Sequence, residues 1–366
     1  MIYSTLDASE AIGEKIMDTP TLRILDTLSS NLGVSLSINQ LTERIRETYG
    51  VAYYANIYQK LQKLKKEGIL SLDLIGRSTN VKLNFQNYLL IDTLAEMEIQ
   101  KKKNFLTKRN DQLLFLTEMA KSLNDSCTIR SVTSINPTKN VKLNRTELLF
   151  LLRETPEYHN MTVQIYKEML KLQNKYNLKI NSLIIDRNDF YDLTTSDEIN
   201  PLREALSEET TFFCPQAFWS EIKQVAEKTE IKTIRAETKP ANISDLDLTY
   251  NLNRFGYKEF GLQMVQGKKF CIEYITTAIL LQDDARLIEA IPIILAKHTF
   301  KSNVMAFLSQ KFETSGKLMG LLKILHTIKP TPETTETIDF LKTFNAREIP
   351  ADKESILQKM RLYNAM

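Results

Sequence analysis

Apolar and polar positions alternate at helical spacing through the front of the chain, and this pattern predicts three amphipathic helices. In the segments TLRILDTLSSNL, SINQLTERIRETYG and ANIYQKLQKLKKEG, leucine and isoleucine recur every three or four residues, which places them on one face of a helix. Ser37 and Gln40 form a capping box at the start of the second helix. The third helix is expected to turn Ile57, Leu61 and Leu64 inward.

Two short runs of β-type residues follow the third helix, at 69–75 and 81–83, and they flank the turn sequence Gly-Arg-Ser-Thr at 76–79. Three helices followed by a β-hairpin, in this order and with these lengths, resemble the winged helix-turn-helix of transcriptional regulators, particularly archaeal ones. The resemblance implies a domain that binds double-stranded DNA, with the third helix in the major groove.

Charge along the chain agrees with this interpretation. Residues 40–84 carry eight lysines and arginines against four carboxylates, whereas the net charge of the whole chain is only +3. Asparagine and glutamine can read adenine edges, and lysine and arginine neutralise phosphates. The expected DNA contacts are Tyr54, Asn56, Tyr58, Gln59, Lys63, Lys66 and Arg77. A winged helix that binds only protein, with lysines on an ordinary solvated face, is the alternative.

A connecting helix is predicted over YLLIDTLAEMEIQKKKNFL, because its apolar residues keep helical spacing up to a run of three lysines, Lys101, Lys102 and Lys103. The run is expected to be solvated, with contact to a DNA backbone as the alternative. In regulators of this shape such a helix often joins two subunits, so a homodimer is one expected assembly.

The middle of the chain predicts a mixed sheet with helices packed on it. CTIRSVTS, RTELLFLL and KINSLIID read as strands, and TVQIYKEMLKLQNKYNL reads as a helix that crosses between the second and third of them. The three strands are expected to be neighbours in one sheet, with the segment from Thr133 to Arg145 crossing its edge.

The order of these elements resembles the minimal, DNA-polymerase-beta-like nucleotidyltransferases. Thr133 and Ser134 fall where that family carries Gly-Ser, and Thr138 falls where it carries a later glycine. Arg145 and Glu147 fall on the two alternate strand positions where the family has aspartates. In the family those two carboxylates hold the magnesium ions that bridge the nucleotide phosphates.

The differences from the family fall on its chemistry. Arg145 would repel a metal ion, and the threonines add a Cβ where glycine lets the backbone approach the triphosphate. Asp186, at the end of the third strand, is the nearest further acid. The resemblance therefore implies a degenerate nucleotidyltransferase site with no catalytic residue, metal or cofactor. Two alternatives stay open: a divergent transferase that binds magnesium through Glu147 and Asp186, and an unrelated α/β domain with an accidental match.

The C-terminal third is predicted to be mainly helical. NVMAFLSQKFETSGKLMGLLKILHTI resembles the closing helices of AbiE-like antitoxins, which implies a toxin or another protein as partner; a generic helical subdomain is the alternative. The segment TKPANISDLDLTYNLNRFGYKEFGLQ is expected to form a loop. The tail is expected to contain a Pro/Thr-rich linker and one helix, DKESILQKMRLY.

Composition adds limits of its own. The chain has 366 residues, 43% hydrophobic and 25% charged, as ordered globular proteins do. Cys127, Cys214 and Cys271 are widely spaced and the three histidines are scattered, so neither a disulfide framework nor a zinc site is expected. The start lacks the pattern of a secretory signal, and the apolar stretches are too short to span a membrane, which favours the cytoplasm.

Together these patterns predict an α+β multidomain protein that is a non-catalytic, antitoxin-like transcriptional regulator. The alternatives are a divergent nucleotidyltransferase and a protein-interaction module. The expected divisions are an N-terminal segment, a winged helix, a connecting helix, a degenerate nucleotidyltransferase-like domain, a helical domain and a tail, at 1–20, 21–85, 86–110, 111–238, 239–330 and 331–366.

Overall fold

The computed structural model describes residues 17–123, 128–137, 140, 144–229, 231, 239–258 and 266–366. Within these residues the chain folds as an α+β protein with two sheets, one of three strands and one of four. Cys127 and Thr138 lie outside the described residues. None of the described helices is both long and apolar enough to pass through a lipid bilayer.

Residues 17–87, called the front unit below, form three helices and an antiparallel sheet with the strand order β1-β3-β2. Their bounds are α1 Thr19–Ser29, β1 Leu36–Ser37, α2 Ile38–Tyr49, α3 Tyr54–Lys66, β2 Leu70–Ile75 and β3 Ser78–Leu83. The three helices and the hairpin lie where the sequence pattern predicts them. Strand β1 was not predicted, because only two of its residues pair.

Local chemistry explains the ends of these elements. The predicted capping box is confirmed: the Gln40 amide donates to the Ser37 hydroxyl at 3.2 Å, and the Ser37 amide donates to the Gln40 side chain at 2.9 Å. The hairpin turn is shorter than predicted, since Ile75 already pairs with Ser78. Gly76, with a φ of 62°, takes the first position of a two-residue turn, which suits the twist of paired strands.

Helix α4 (Leu89–Leu106) follows the front unit, and α5 (Asn110–Leu123) follows α4. Helix α4 packs against α1 on one side and against the second half of the chain on the other. Its buried residues include Leu90, Ile91, Leu94 and Met97. The connecting helix is therefore part of the core that joins the front unit to the rest of the protein.

The four-stranded sheet, called the second sheet below, has the order β6-β5-β4-β7. Its strands are β4 Ile129–Ile135, β5 Arg145–Leu152, β6 Lys179–Ile185 and β7 Glu209–Phe213. Strands β5 and β6 are parallel and the other pairs are antiparallel, so the predicted mixed sheet of three neighbouring strands is confirmed. Strand β4 continues to Ile135, however, so the expectation that the chain leaves the sheet at Thr133 is wrong.

Helices make up most of the remaining chain. They are α6 Tyr158–Tyr176, α7 Arg187–Thr195, α8 Pro201–Ala205, α9 Pro215–Lys228, α10 Asp245–Arg254, α11 Ile272–Gln282, α12 Ala285–Ile288, α13 Ala290–Lys297, α14 Ser302–Lys311, α15 Ser315–Ile328, α16 Pro332–Thr343 and α17 Lys353–Leu362. Two predictions are wrong here, because α10 lies in the expected loop and α16 in the expected linker. Thr331 accepts a hydrogen bond from the Thr334 amide, so this Pro/Thr sequence starts a helix.

Two apolar cores hold these layers together. The larger core runs from α1–α3 across one face of the second sheet to the C-terminal helices. The smaller core lies on the opposite face, beneath α5 and α6, and also takes in side chains of α14 and α16. Helix α14 packs on β6, and the C-terminal helices share the larger core with the second sheet. The C-terminal third of the chain therefore covers the face of the second sheet that points into the larger core.

Candidate functional site

The outward face of α3 carries six of the seven predicted DNA contacts, and all six side chains are exposed: Tyr54, Asn56, Tyr58, Gln59, Lys63 and Lys66. Ile57, Leu61 and Leu64 are buried and hold the helix against the front unit, as predicted. The turn of about 100° per residue places Gln59 and Lys66 opposite that buried stripe. Asn56 and Lys63 lie on one flank, and the two tyrosines lie on the other.

The seventh residue, Arg77, is exposed at the tip of the β2–β3 hairpin. Within the described residues neither Arg77 nor Lys66 makes an ion pair. Lys63 lies 3.8 Å from Glu67, a long and exposed pair, whereas Lys60 is held by Asp18 at 2.6 Å. The three cations among the predicted contacts, Lys63, Lys66 and Arg77, are therefore exposed and not held in a short ion pair.

An aromatic surface flanks the same helix. The rings of Tyr54 and Tyr58 stack with centroids 6.1 Å apart, and the neighbouring Tyr53 is also exposed. Exposed tyrosines are common at interfaces of several kinds, because one side of the ring is apolar and the hydroxyl is polar. This surface suits a macromolecular partner without specifying which.

The expected Gly-Ser position of the second sheet does not form a turn. Thr133 and Ser134 are buried within β4, paired on one side with β5 and on the other with β7. The Thr133 hydroxyl lies 3.1 Å from the Thr211 hydroxyl. At these two residues no backbone is free to approach a triphosphate.

Arg145 and Glu147 lie at alternate positions of β5, as predicted, but Glu147 is fully buried with 0% exposure. One carboxylate oxygen lies 3.4 Å from the Arg145 Nε, and the other lies 3.1 Å from the Lys311 Nζ at the end of α14. Arg145 also donates to the Asn140 side chain at 3.0 Å. Two protein cations thus occupy the surroundings of the only carboxylate of the predicted pair.

Asp186 does not join this site. Glu147 pairs in register with Asn181, five residues before Asp186, and at about 3.3 Å per residue the two acids lie roughly 16 Å apart along the strands. The Asp186 carboxylate instead accepts a hydrogen bond from the Asp189 amide at 2.8 Å and caps α7. Within the described residues no group of three or more histidine, cysteine or acidic side chains is placed to hold a metal ion.

Sequence reasoning missed an ionic cluster between the front unit and the second sheet. The Lys101 Nζ lies 2.8 Å from Asp26 of α1 and 3.5 Å from Glu98 of α4, and it donates to the Glu209 carbonyl of β7 at 2.6 Å. The expectation of a solvated or DNA-facing lysine is therefore wrong for Lys101. Asp26 and Glu209 are far from Lys101 in sequence, so only the helix spacing of Glu98 and Lys101 could have hinted at the cluster.

The same part of α4 protects the edge of the second sheet. Among the described residues no strand pairs with the outer edge of β7, so its outward backbone groups need other partners. The Glu98 carboxylate accepts from the Thr211 amide at 2.8 Å, and the Lys102 ammonium donates to the Phe212 carbonyl at 3.1 Å. The expectation of a solvated side chain is thus also wrong for Lys102, because its ammonium group binds the exposed edge of β7.

Burial dominates the acid–base properties of this cluster. It raises the pKa of the Glu98 carboxyl and raises that of Glu209 more strongly, although Lys101 opposes both shifts. Burial alone would lower the pKa of Lys101, but the nearby carboxylates of Glu98, Asp26 and Glu209 outweigh it and raise the pKa. Lys101 is therefore a permanent cation, and Glu209 has a raised affinity for a proton.

Comparison with known proteins supplies no relative for this arrangement. No family model, no curated protein and no solved structure matches the chain. The functional argument therefore rests on the geometry of these residues.

Proposed function

We propose that the protein is a non-catalytic transcriptional regulator that binds double-stranded DNA through a winged helix-turn-helix formed by the front unit. The observation that carries the proposal is the face of α3, where six polar side chains reach water from a helix anchored by three buried residues. Arg77 extends from the adjacent hairpin. The 13 residues of α3 span about 20 Å, a length that suits a major groove.

Each part of this surface has a role in the proposal. Asn56 and Gln59 read base edges, while Lys63 and Lys66 neutralise phosphates beside the groove. Arg77 reaches a phosphate or the minor groove from the hairpin. Such a regulator acts in the cytoplasm, and two copies bound to adjacent half-sites would form a homodimer.

The second sheet and the C-terminal helices form a pseudo-nucleotidyltransferase that binds an effector or a protein partner instead of transferring a nucleotide. Support comes from Glu147, which Arg145 and Lys311 already neutralise in the interior. An antitoxin that represses its own promoter is the concrete version of this proposal, with a toxin as the partner.

Selection of bound fragments from host genomic DNA by the purified full chain tests the proposal. We expect a recurrent sequence that binds at least tenfold more tightly than its scrambled version in fluorescence anisotropy at 0.15 M salt. Uniform failure to bind any duplex at low salt would exclude the DNA-binding role, because even non-specific binding is strong there.

The second candidate function is a protein-interaction module. The exposed Tyr53, Tyr54 and Tyr58 favour it, since tyrosine is enriched where proteins meet. The enzyme alternative requires Glu147 and Asp186 to bind the same magnesium ions. Their separation along the strands argues against it, because magnesium ligands must lie within coordination distance of one ion. Calorimetry with magnesium and each nucleoside triphosphate tests it, and any transfer product from a radiolabelled nucleotide would establish catalysis.

A further inference from the structure

A cavity of about 700 Å³ lies between the end of α4, one side of α5 and the β4–β7 part of the second sheet. Its size is in the range of small-molecule sites in proteins. Most of the side chains that line it are apolar, among them Leu106, Leu113, Leu116, Ile129 and Phe212. The cavity is far from the outward face of α3 in sequence and uses none of the residues assigned to DNA.

Helix α5 forms part of this cavity because its apolar residues cover a broad arc of its surface. Phe115 packs into the smaller core, and Met119 belongs to that core and also lines the cavity. Leu113 and Leu116, at three-residue spacing, line the cavity as well. Leu113 is 44% exposed and Phe213, at the end of β7, is 45% exposed. An apolar ligand that covers these side chains removes their surface from water, and this lowers the free energy of the complex.

The charge of the lining is one-sided. Lys102 and Lys121 are the only charged side chains among the described residues that line the cavity. The hydrogen bond from Lys102 to the Phe212 carbonyl fixes its ammonium at the wall. The acid three residues before Lys121, Glu118, is already in contact with Lys175 and Tyr176, so it leaves the Lys121 ammonium without an ion-pair partner among the described residues.

We propose that this cavity binds a free amphipathic carboxylate of the fatty-acid class. The alkyl chain lies between α5 and the sheet, and the carboxylate lies at Lys102 and Lys121. Apolar walls with only positive charge favour this ligand over a neutral alcohol and disfavour an alkylammonium ion. Binding does not depend on whether the front unit binds DNA.

Isothermal titration calorimetry of the full chain with decanoate, kept below its micellar concentration, tests the proposal. We expect one saturable site per chain, at least tenfold tighter for decanoate than for decan-1-ol and weakest for decylammonium. Shortening the chain from decanoate to octanoate should weaken binding by about tenfold, since each buried CH₂ contributes roughly three- to fourfold.

Matched variants locate the site. Leu113→Asp places a carboxylate among the apolar walls and should weaken decanoate binding more than tenfold. Leu114→Asp changes the neighbouring leucine, which is 60% exposed and does not line the cavity, and should change binding less than twofold. Lys121→Gln should reduce the preference for decanoate over decanol, whereas Lys108→Gln should leave it unchanged. Circular dichroism checks that each variant is folded.

Several results would overturn the proposal. They are no saturable binding, equal affinity for the three head groups, or equal loss in the Leu113 and Leu114 variants. A dimer in sedimentation that Leu113→Asp converts to a monomer would also overturn it. In that case a second copy of the chain, rather than a carboxylate, covers the cavity.

Discussion

On α3 the charged side chains reach water, whereas around Glu147 of the second sheet the same residue types are partly buried and paired. Lys63 and Lys66 have exposed side chains, but Lys311 and Arg145 form ion pairs with the buried carboxylate of Glu147. An exposed cation remains available to an external anion, while a buried one is bound to an internal partner whose removal is destabilising. The two regions contain the same types of charged residue. They differ in how deeply those residues are buried and in whether they have an ion-pair partner inside the protein.

The largest expected effect on stability comes from removing a cation that is paired with the buried Glu147. Lys311→Met removes one of the two cations at Glu147 and should lower the free energy of unfolding by about 3–5 kcal/mol. Lys66→Met, on the exposed side, should change it by less than about 0.5 kcal/mol. Urea denaturation measures both. The double variant Lys311→Met with Glu147→Gln should recover part of the loss, and a harmless Lys311→Met would contradict the assigned ion pair.

The exposed side is expected to show its effect in binding instead of stability. Asn56→Ala or Gln59→Ala should weaken binding to the selected DNA site by about 1–3 kcal/mol and hardly affect scrambled DNA, because base-edge hydrogen bonds are lost. Fluorescence anisotropy on both duplexes measures this. Gln86→Ala, an exposed glutamine outside α3, is the control. Equal losses on the two duplexes would assign α3 to the DNA backbone and not to base reading.

The Glu209 carboxyl offers a test of burial through pH. Its pKa is raised, mainly by burial, so the native state binds its proton more tightly than the unfolded chain does. Its contribution to stability is therefore present at low pH and is lost as pH rises from the unfolded value, near 4.5, through the raised folded value. Glu209→Gln cannot ionise, so its stability relative to the wild type should rise with pH.

Urea midpoints of both proteins between pH 4.5 and 8 measure this difference. The carbonyl of Glu209 remains in the variant, so the hydrogen bond from Lys101 is retained. Glu96→Gln, at an exposed position of α4, should show no such trend. A constant difference across the pH range would mean that Glu209 is ionised in the native protein.

The smallest expected effects come from single phosphate contacts. Lys63→Ala or Arg77→Ala should weaken binding to all duplexes alike, by a few-fold, and make the salt dependence shallower by about one unit. Anisotropy over a series of salt concentrations gives the slope. Lys353→Ala, exposed on α17, is the control. If neither variant changes affinity, the protein-binding interpretation of the front unit replaces the DNA-binding one.

The local features of the molecule were predictable from sequence. The stripe of α3 and the Ser37–Gln40 capping box depend on residues a few positions apart, and the structure has both. The three strands around RTELLFLL are also where their apolar runs predict them. The sequence did not reveal β7, a five-residue strand whose pairing with β4 joins distant segments.

The errors share one cause, which is that a short pattern has several meanings. A Pro/Thr stretch such as that before α16 can form a linker, but Thr331 and Pro332 start a helix here. A lysine run is usually solvated, but Lys101 and Lys102 lie along a strand edge that only the fold creates. Asp186 looked like a possible metal ligand and instead caps α7.

The sequence by itself determined where α3 begins, which of its residues turn inward and that its outer face is polar and basic, because 3.6-residue periodicity is a local property. Only the tertiary structure decided that Glu147 is neutralised by Lys311, that Asp186 is far from it and that an apolar cavity remains beside α5. Those relations depend on register and packing between residues far apart in the chain, and the free energy of a buried charge depends on the partners that packing supplies.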